Sequence, residues 1–210
     1  MKRFFLLIGL SAFFLGMKAQ DMATLFVSMP DQKIPQLESA WRKDLIDLFK
    51  SGKEARLKNT MNGYSILQKL TPDYLLLQST GRSTVEMKLL PLVNNTHVIC
   101  VVTTIKAPVA DSRVEFFTTE WQPLDAADLF TPVSAAAFLK PGADKENPDY
   151  QYALSRLDME MVQYDLSPDN LTLTATYTTP LYLSSEDREK VMPFLESSPV
   201  VMNWEKYHFK

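Results

Sequence analysis

Between residues 64 and 121 the chain reads as short strand-like runs, alternating apolar and polar or apolar on both faces, cut by turn-forming residues. No other feature of the sequence restricts its fold as strongly. Asn62-Gly63 is a hairpin signal ahead of residues 64–70, and Thr71-Pro72-Asp73 turns the chain into residues 74–80. Gly81-Arg82 leads into Val85, Met87 and Leu89, which alternate with Thr84, Glu86 and Lys88. Asn94-Asn95 turns into residues 97–105, apolar on both faces and therefore expected as a central strand. Residues 107–112 turn again, and 113–121 form the next expected strand. Turns spaced this closely describe an antiparallel meander.

Helical spacing flanks this block. Leu37, Trp41, Leu45, Leu48 and Phe49 form one stripe, with Arg42, Lys43, Asp44 and Asp47 covering much of the other face. Pro35 suits its first turn and Ser51-Gly52 its end. Before it, Leu25-Phe26-Val27 is a short apolar stretch, and Pro30 and Pro35 bracket a polar turn. After the meander, residues 124–130 and 134–139 read as two short helices separated by Pro132. Residues 141–149 are expected to be a mobile loop. Residues 159–166 and 171–178 are expected strands around Ser167-Pro168-Asp169. Ser185, with Glu186 and Asp187 close behind, starts a capped helix running toward Leu195. Residues 199–208 supply a last strand. The expected fold is α+β: an antiparallel sheet meander, an N-terminal amphipathic helix packed on one face, and short connecting helices.

Residues 70–80 align with residues 166–176, and six of the eleven positions are identical. A duplicated half would divide the chain into 20–122 and 123–210. Shared Pro-Asp turn chemistry explains the match with fewer assumptions, so residues 20–210 are read as a single α+β domain.

The N-terminus reads as an address. Lys2 and Arg3 precede an apolar run over residues 4–15, and Ala19 offers a cleavage point, so residues 1–19 are expected to be a cleaved signal peptide. The rival reading is an uncleaved anchor, for which the run is short. No cysteine follows it to carry a lipid. Cleavage leaves 191 residues with 19 basic and 25 acidic side chains, a net charge of −6 and no transmembrane segment. That balance disfavours nucleic acid and anionic membranes as partners. The sole cysteine, Cys100, cannot make an intrachain disulfide, which suits a bacterial periplasmic or outer-surface location.

Catalytic patterns are scarce. The glycines after the signal, at 52, 63, 81 and 142, are isolated, so neither a phosphate loop nor a dinucleotide fingerprint can form. No Gly-x-Ser-x-Gly elbow is present. Cys100 lies in the most apolar strand, and His97, three residues away, points to the opposite face. His208 stands near the C-terminus. No cofactor is implied. Asp125 and Asp128, three apart at an expected helix start, are the candidate metal ligands or the carboxylates of a hydrolase. Acids there also complement the helix dipole. Lys50, Lys53, Arg56 and Lys58 read as a solvated basic cluster, and Thr172, Thr174, Thr176 and Thr178 as the open face of a strand.

The signal ending in Ala19-Gln20, the segment from Leu25 to Asp31, the Ile34-Pro35 helix and the Leu70-Thr71-Pro72-Asp73 hairpin resemble a family of small exported Bacteroidales proteins. That family is a domain of unknown function, and no functional residue carries over from it. The resemblance implies a bacterial envelope location. An export signal without an assembled catalytic set points to a non-enzymatic envelope protein that binds a partner protein. The alternative is a carrier of an apolar or lipid ligand, with Phe116, Trp121 and Tyr164 as candidate lining residues, joined by Phe117.

Overall fold

The computed structural model describes residues 21–210. The expected signal peptide, residues 1–19, lies outside them. The alternating block folds as the sequence directs: β1 (Arg56–Lys58), β2 (Tyr64–Leu70), β3 (Tyr74–Thr80), β4 (Ser83–Pro91), β5 (His97–Lys106), β6 (Ala110–Phe117) and β7 (Pro123–Leu124). They join in chain order into one antiparallel seven-stranded sheet. Asn62 and Asn95 adopt positive φ, the conformation their side chains tolerate best after glycine.

One face of this sheet is closed by two helices. The apolar stretch around Phe26, not assigned a structure from the sequence, is helix α1 (Met22–Ser28), capped by Asp21 accepting from the Thr24 amide at 2.8 Å. The amphipathic helix α2 (Ser39–Lys50) begins four residues later than Pro35 suggests. Phe26, Leu37 and Leu45 bury against Leu75, Leu77, Met87, Ile99 and Phe117. Arg42, assigned to the polar face by its charge, is fully buried. Its guanidinium donates to the carbonyls of Leu37 (2.8 Å), Val27 (3.2 Å) and Met29 and pairs with Asp31 at 3.0 Å. One arginine thereby satisfies the carbonyls where α1 ends and α2 begins.

The opposite face is closed by a second sheet, order β11-β10-β9-β8, made of β8 (Val162–Leu166), β9 (Thr172–Tyr177), β10 (Val200–Glu205) and β11 (His208–Phe209). Phe116, Cys100 and Val102 of the first sheet meet Tyr164, Leu173, Met202, Trp204 and Phe209 of the second. Lys206 and Tyr207, both with positive φ, make the tight turn between β10 and β11. This second cover explains a difference from the sequence reading. Glu86 and Lys88 share an alternation that suggests a solvated face, yet both are buried.

Strand β8 is an edge strand, and its free amides are taken up by first-sheet side chains rather than by another strand. Val162 donates to Asp111 at 3.2 Å, Tyr164 to the Ser112 hydroxyl at 3.0 Å, and Leu166 to the Glu86 carboxylate at 2.6 Å. Polar groups buried between the sheets are therefore matched, and the edge is closed to further pairing. The two similar hairpins meet at this seam. Lys88 pairs with Asp73 of the first turn at 2.9 Å and donates to the Pro168 carbonyl of the second at 3.1 Å. Both turns use a hydroxyl before proline: Thr71 accepts from the Tyr74 amide, and Ser167 from those of Asp169 and Asn170.

The segment expected to hold two short helices instead forms strand β7 and two 3-10 turns, Ala126–Asp128 and Ala135–Phe138. Prolines at 123, 132 and 141 leave too few residues between them for α-helical turns to propagate. Three further helices make a C-terminal layer: α3 (Pro148–Arg156), α4 (Thr179–Tyr182) and α5 (Ser185–Val191). Helix α3 begins inside the segment expected to be a loop, with Asn147 as cap and Pro148 at its first position. Ser184, one residue before the Ser185 that the sequence suggested, caps α5.

Candidate functional site

The C-terminal layer is held by few contacts. Its own core consists of Ala153, Leu157, Val191 and Leu195. Arg188 supplies much of the remaining order, donating to the carbonyls of Pro180 (2.9 Å), Leu181 (2.9 Å) and Leu183 (3.2 Å), where α4 ends without other caps. Tyr152 of α3 hydrogen-bonds Asp187 of α5, and Arg156 pairs with the same carboxylate at 3.7 Å. Those contacts, the Tyr152 hydroxyl foremost, hold the Asp187 carboxyl below its usual range. Buried Thr178 and Thr179 tie the layer to the sheets: Thr178 donates to the Ala110 carbonyl at 2.5 Å, and Thr179 accepts from the Met161 amide at 2.9 Å.

This layer leaves apolar surface open. Of the eleven large apolar side chains exposed among the described residues, five lie here: Leu154, Met159, Leu181, Tyr182 and Met192. Leu181 is 57% exposed and Met192 45%. These two side chains flank a hollow of about 270 Å³. The Phe138 and Tyr177 rings, which help line it, stack at 5.0 Å with 6° between planes. Pro180 and Leu195 add apolar wall, while Thr176, Glu196, Ser197 and Ser198 give it polar edges. Apolar surface bordered by polar groups is the usual form of a contact site.

A larger hollow, about 500 Å³, lies where the N-terminal helices stop short of β5 and β6. Most of its ionic groups are matched: Arg113 and Lys33 pair with Glu115 at 2.6 and 3.3 Å, and Asp111 accepts from the Val162 amide. Burial pushes the Glu115 carboxyl upward, but these two cations hold it below its usual range.

The residues singled out from the sequence do not converge. Phe116 and Tyr164 belong to the core between the sheets, where the Tyr164 hydroxyl accepts from the Val133 amide at 2.9 Å. Trp121 lies on the other side of the sheet, packed on Phe117 with ring centroids 5.4 Å apart. Its indole N–H donates to the Leu25 carbonyl at 3.2 Å, so it fastens α1. Asp125 caps the 3-10 turn Ala126–Asp128 by accepting from the Ala127 amide at 3.0 Å, and the Asp128 carbonyl contacts His208. Among the described residues no group of three or more His, Cys, Asp or Glu could hold a metal ion. Cys100 is fully buried, and burial pushes its thiol pKa strongly upward. The hollow escaped sequence reasoning because its wall comes from three separated segments. Asn147-Pro148 and Thr179-Pro180, each a polar residue before a first-turn proline, were the available signals for the helices around it.

No helix of the described residues is long and apolar enough to cross a membrane. No curated protein matches the chain. Among solved structures it is similar to "Structure of a domain of an uncharacterized protein from Porphyromonas gingivalis W83". Sequence identity is 29% and the TM-score 0.80, over 90% of this chain and 96% of that one. The organism is one of the Bacteroidales, the group to which the sequence resemblance points. A family model described as "Protein of unknown function (DUF3256)" matches residues 14–209, so the chain belongs to that family.

Proposed function

We propose that this chain is an exported, non-enzymatic protein of the bacterial envelope that docks a partner protein through the apolar hollow of its C-terminal layer. The observation that carries the reading is the exposure of Leu181 and Met192 on the wall of that hollow, with exposed Tyr182 next to Leu181 in the chain. Burying such side chains against a partner recovers roughly 25 cal/mol per Å² of apolar surface. The basic N-terminus and apolar run support export. Between the sheets, Phe116 packs on Phe130, Trp204 and Phe209, with ring centroids 6.5 Å away in each case. That packing favours docking at the surface over an apolar ligand carried inside.

The test is a photo-reactive phenylalanine placed at position 181, or at exposed Tyr64 as a control, in protein expressed in its own cells. Irradiation is expected to give a discrete protein adduct from position 181 in the envelope fraction and none from position 64. Adducts of the same pattern from both positions, or none from 181, would overturn the reading. N-terminal sequencing of the mature protein is expected to begin at Gln20.

A further inference from the structure

We infer that the partner docking at this hollow presents a basic amphipathic segment, an inference that rests on the docking reading above. The observation is a segregation of charge. Residues 139–199, which hold all three C-terminal helices and most of the hollow's wall, carry eleven acidic and five basic side chains, a net charge of −6. The rest of the chain after Ala19 carries fourteen of each. The whole acidity of the exported protein is thus concentrated in the part that also exposes apolar surface.

The cations in this part are outnumbered by more than two to one, and most are already held by neighbouring groups. Arg188 serves the carbonyls at the end of α4, and Lys140 donates to the Pro193 carbonyl at 2.7 Å. Arg156 and Lys190 pair with Asp187 and Glu186. Glu189 and Glu196 are exposed and have no ion-pair partner among the described residues, and Glu196 lines the hollow itself. The Glu196 carboxylate at the edge of an apolar depression, on a layer of net negative charge, favours an occupant that inserts apolar side chains and surrounds them with lysine or arginine. An acidic segment would meet the like charge of Glu196 at the hollow and of the layer as a whole. Steering of this kind acts on encounter and weakens with salt.

The experiment uses the full exported chain and two synthetic amphipathic helical peptides. Both carry leucines on one face; the polar face is lysine in one and glutamate in the other. Affinity is read by fluorescence anisotropy at several salt concentrations. The lysine peptide is expected to bind about tenfold more tightly than the glutamate peptide, with the advantage shrinking as salt rises. The double variant Glu189→Lys/Glu196→Lys should remove most of that advantage. Leu181→Ser/Met192→Ser should abolish binding while leaving the melting temperature unchanged, since both side chains are solvent-exposed. Equal binding of the two peptides, lost in Leu181→Ser/Met192→Ser, overturns the basic-partner inference and leaves docking at the hollow intact. Lysine-peptide binding that survives Leu181→Ser/Met192→Ser overturns the hollow reading as well. No binding of either peptide overturns the inference, while the position-181 adduct still reports separately on docking.

Discussion

The two helical layers of this protein use one device in two settings. In the N-terminal layer Arg42 gathers the carbonyls of Val27, Met29 and Leu37; in the C-terminal layer Arg188 gathers those of Pro180, Leu181 and Leu183. Short helices end in carbonyls they cannot satisfy themselves, and a guanidinium has enough donors to serve three at once. The surroundings differ. Arg42 is sealed under α1 and α2, whose apolar faces continue into the sheet, whereas Arg188 is half-buried in a layer with a four-residue core. A layer continuous with the main core is built for stability. One that covers little leaves Leu181 and Met192 in water and has less holding it to the rest of the fold.

The largest effect that tests this contrast is Arg42→Ala. Removing the guanidinium breaks its bonds to three carbonyls in a closed layer, of which that of Val27 keeps the Ser39 hydroxyl as a donor, and should lower global stability by about 3 kcal/mol or more. Urea denaturation followed at Trp121, which packs against α1, checks it. A loss below about 0.5 kcal/mol, the range of ordinary surface changes, would mean that water replaces the arginine and the layer is not sealed.

The next effect separates the layers through the seam between the sheets. Burial pushes the Glu86 carboxyl up to about 7, with the Leu166 amide opposing and Asp165 adding to the rise. In the unfolded chain a glutamate ionises near its ordinary value of 4.5. Below 4.5 the carboxyl is protonated in both states, and its contribution is fully present. As pH rises toward 7 the unfolded chain ionises first, so stability falls, and above 7 the loss is complete. At about 1.4 kcal/mol per pH unit the full loss is on the order of 3 kcal/mol. Glu86→Gln should flatten this part of the stability-against-pH curve. Amide protection in α4, corrected for intrinsic exchange, should stay level across the same range if the C-terminal layer opens on its own. Protection in β8, whose Leu166 amide rests on Glu86, should follow the global curve.

Legibility in the sequence divides along the same line. Strands β2 to β6 were readable because each ends at residues with a backbone reason to turn: Pro72-Asp73, Gly81-Arg82 and Asn94-Asn95. The burial of Arg42, Glu86 and Lys88 was not readable, because charge predicts solvent unless the covering element is known. For Glu86 and Lys88 that cover arrives from strands some eighty residues away. Helix α3 escaped because only Tyr150 and Ala153 on it are buried, too few for a stripe. The hollow was the least legible feature. Phe138, Tyr177 and Met192 meet through the bridge that sets Leu139 beside Leu195 and the stacking of Phe138 on Tyr177, and no periodicity within one segment encodes such a meeting.

The smallest effect is the most direct test of the open layer. Arg188→Ala removes three hydrogen bonds from a half-exposed side chain, where water can reach the freed carbonyls. The expected loss is about 1–2 kcal/mol, less than for Arg42→Ala despite the same number of carbonyls. It should also be confined. Hydrogen exchange at the Leu181 amide, which donates to the Thr178 carbonyl at 2.9 Å, should accelerate while amides in β4 and β5 keep their wild-type protection. A variant that loosens the central strands as much as α4 would show that the two layers share one cooperative unit. The C-terminal layer could then not respond to a partner independently of the sheets. With the effect confined to α4 and α5, the leucine-faced lysine peptide would instead find a surface able to adjust locally, and its binding should restore the lost protection in the variant.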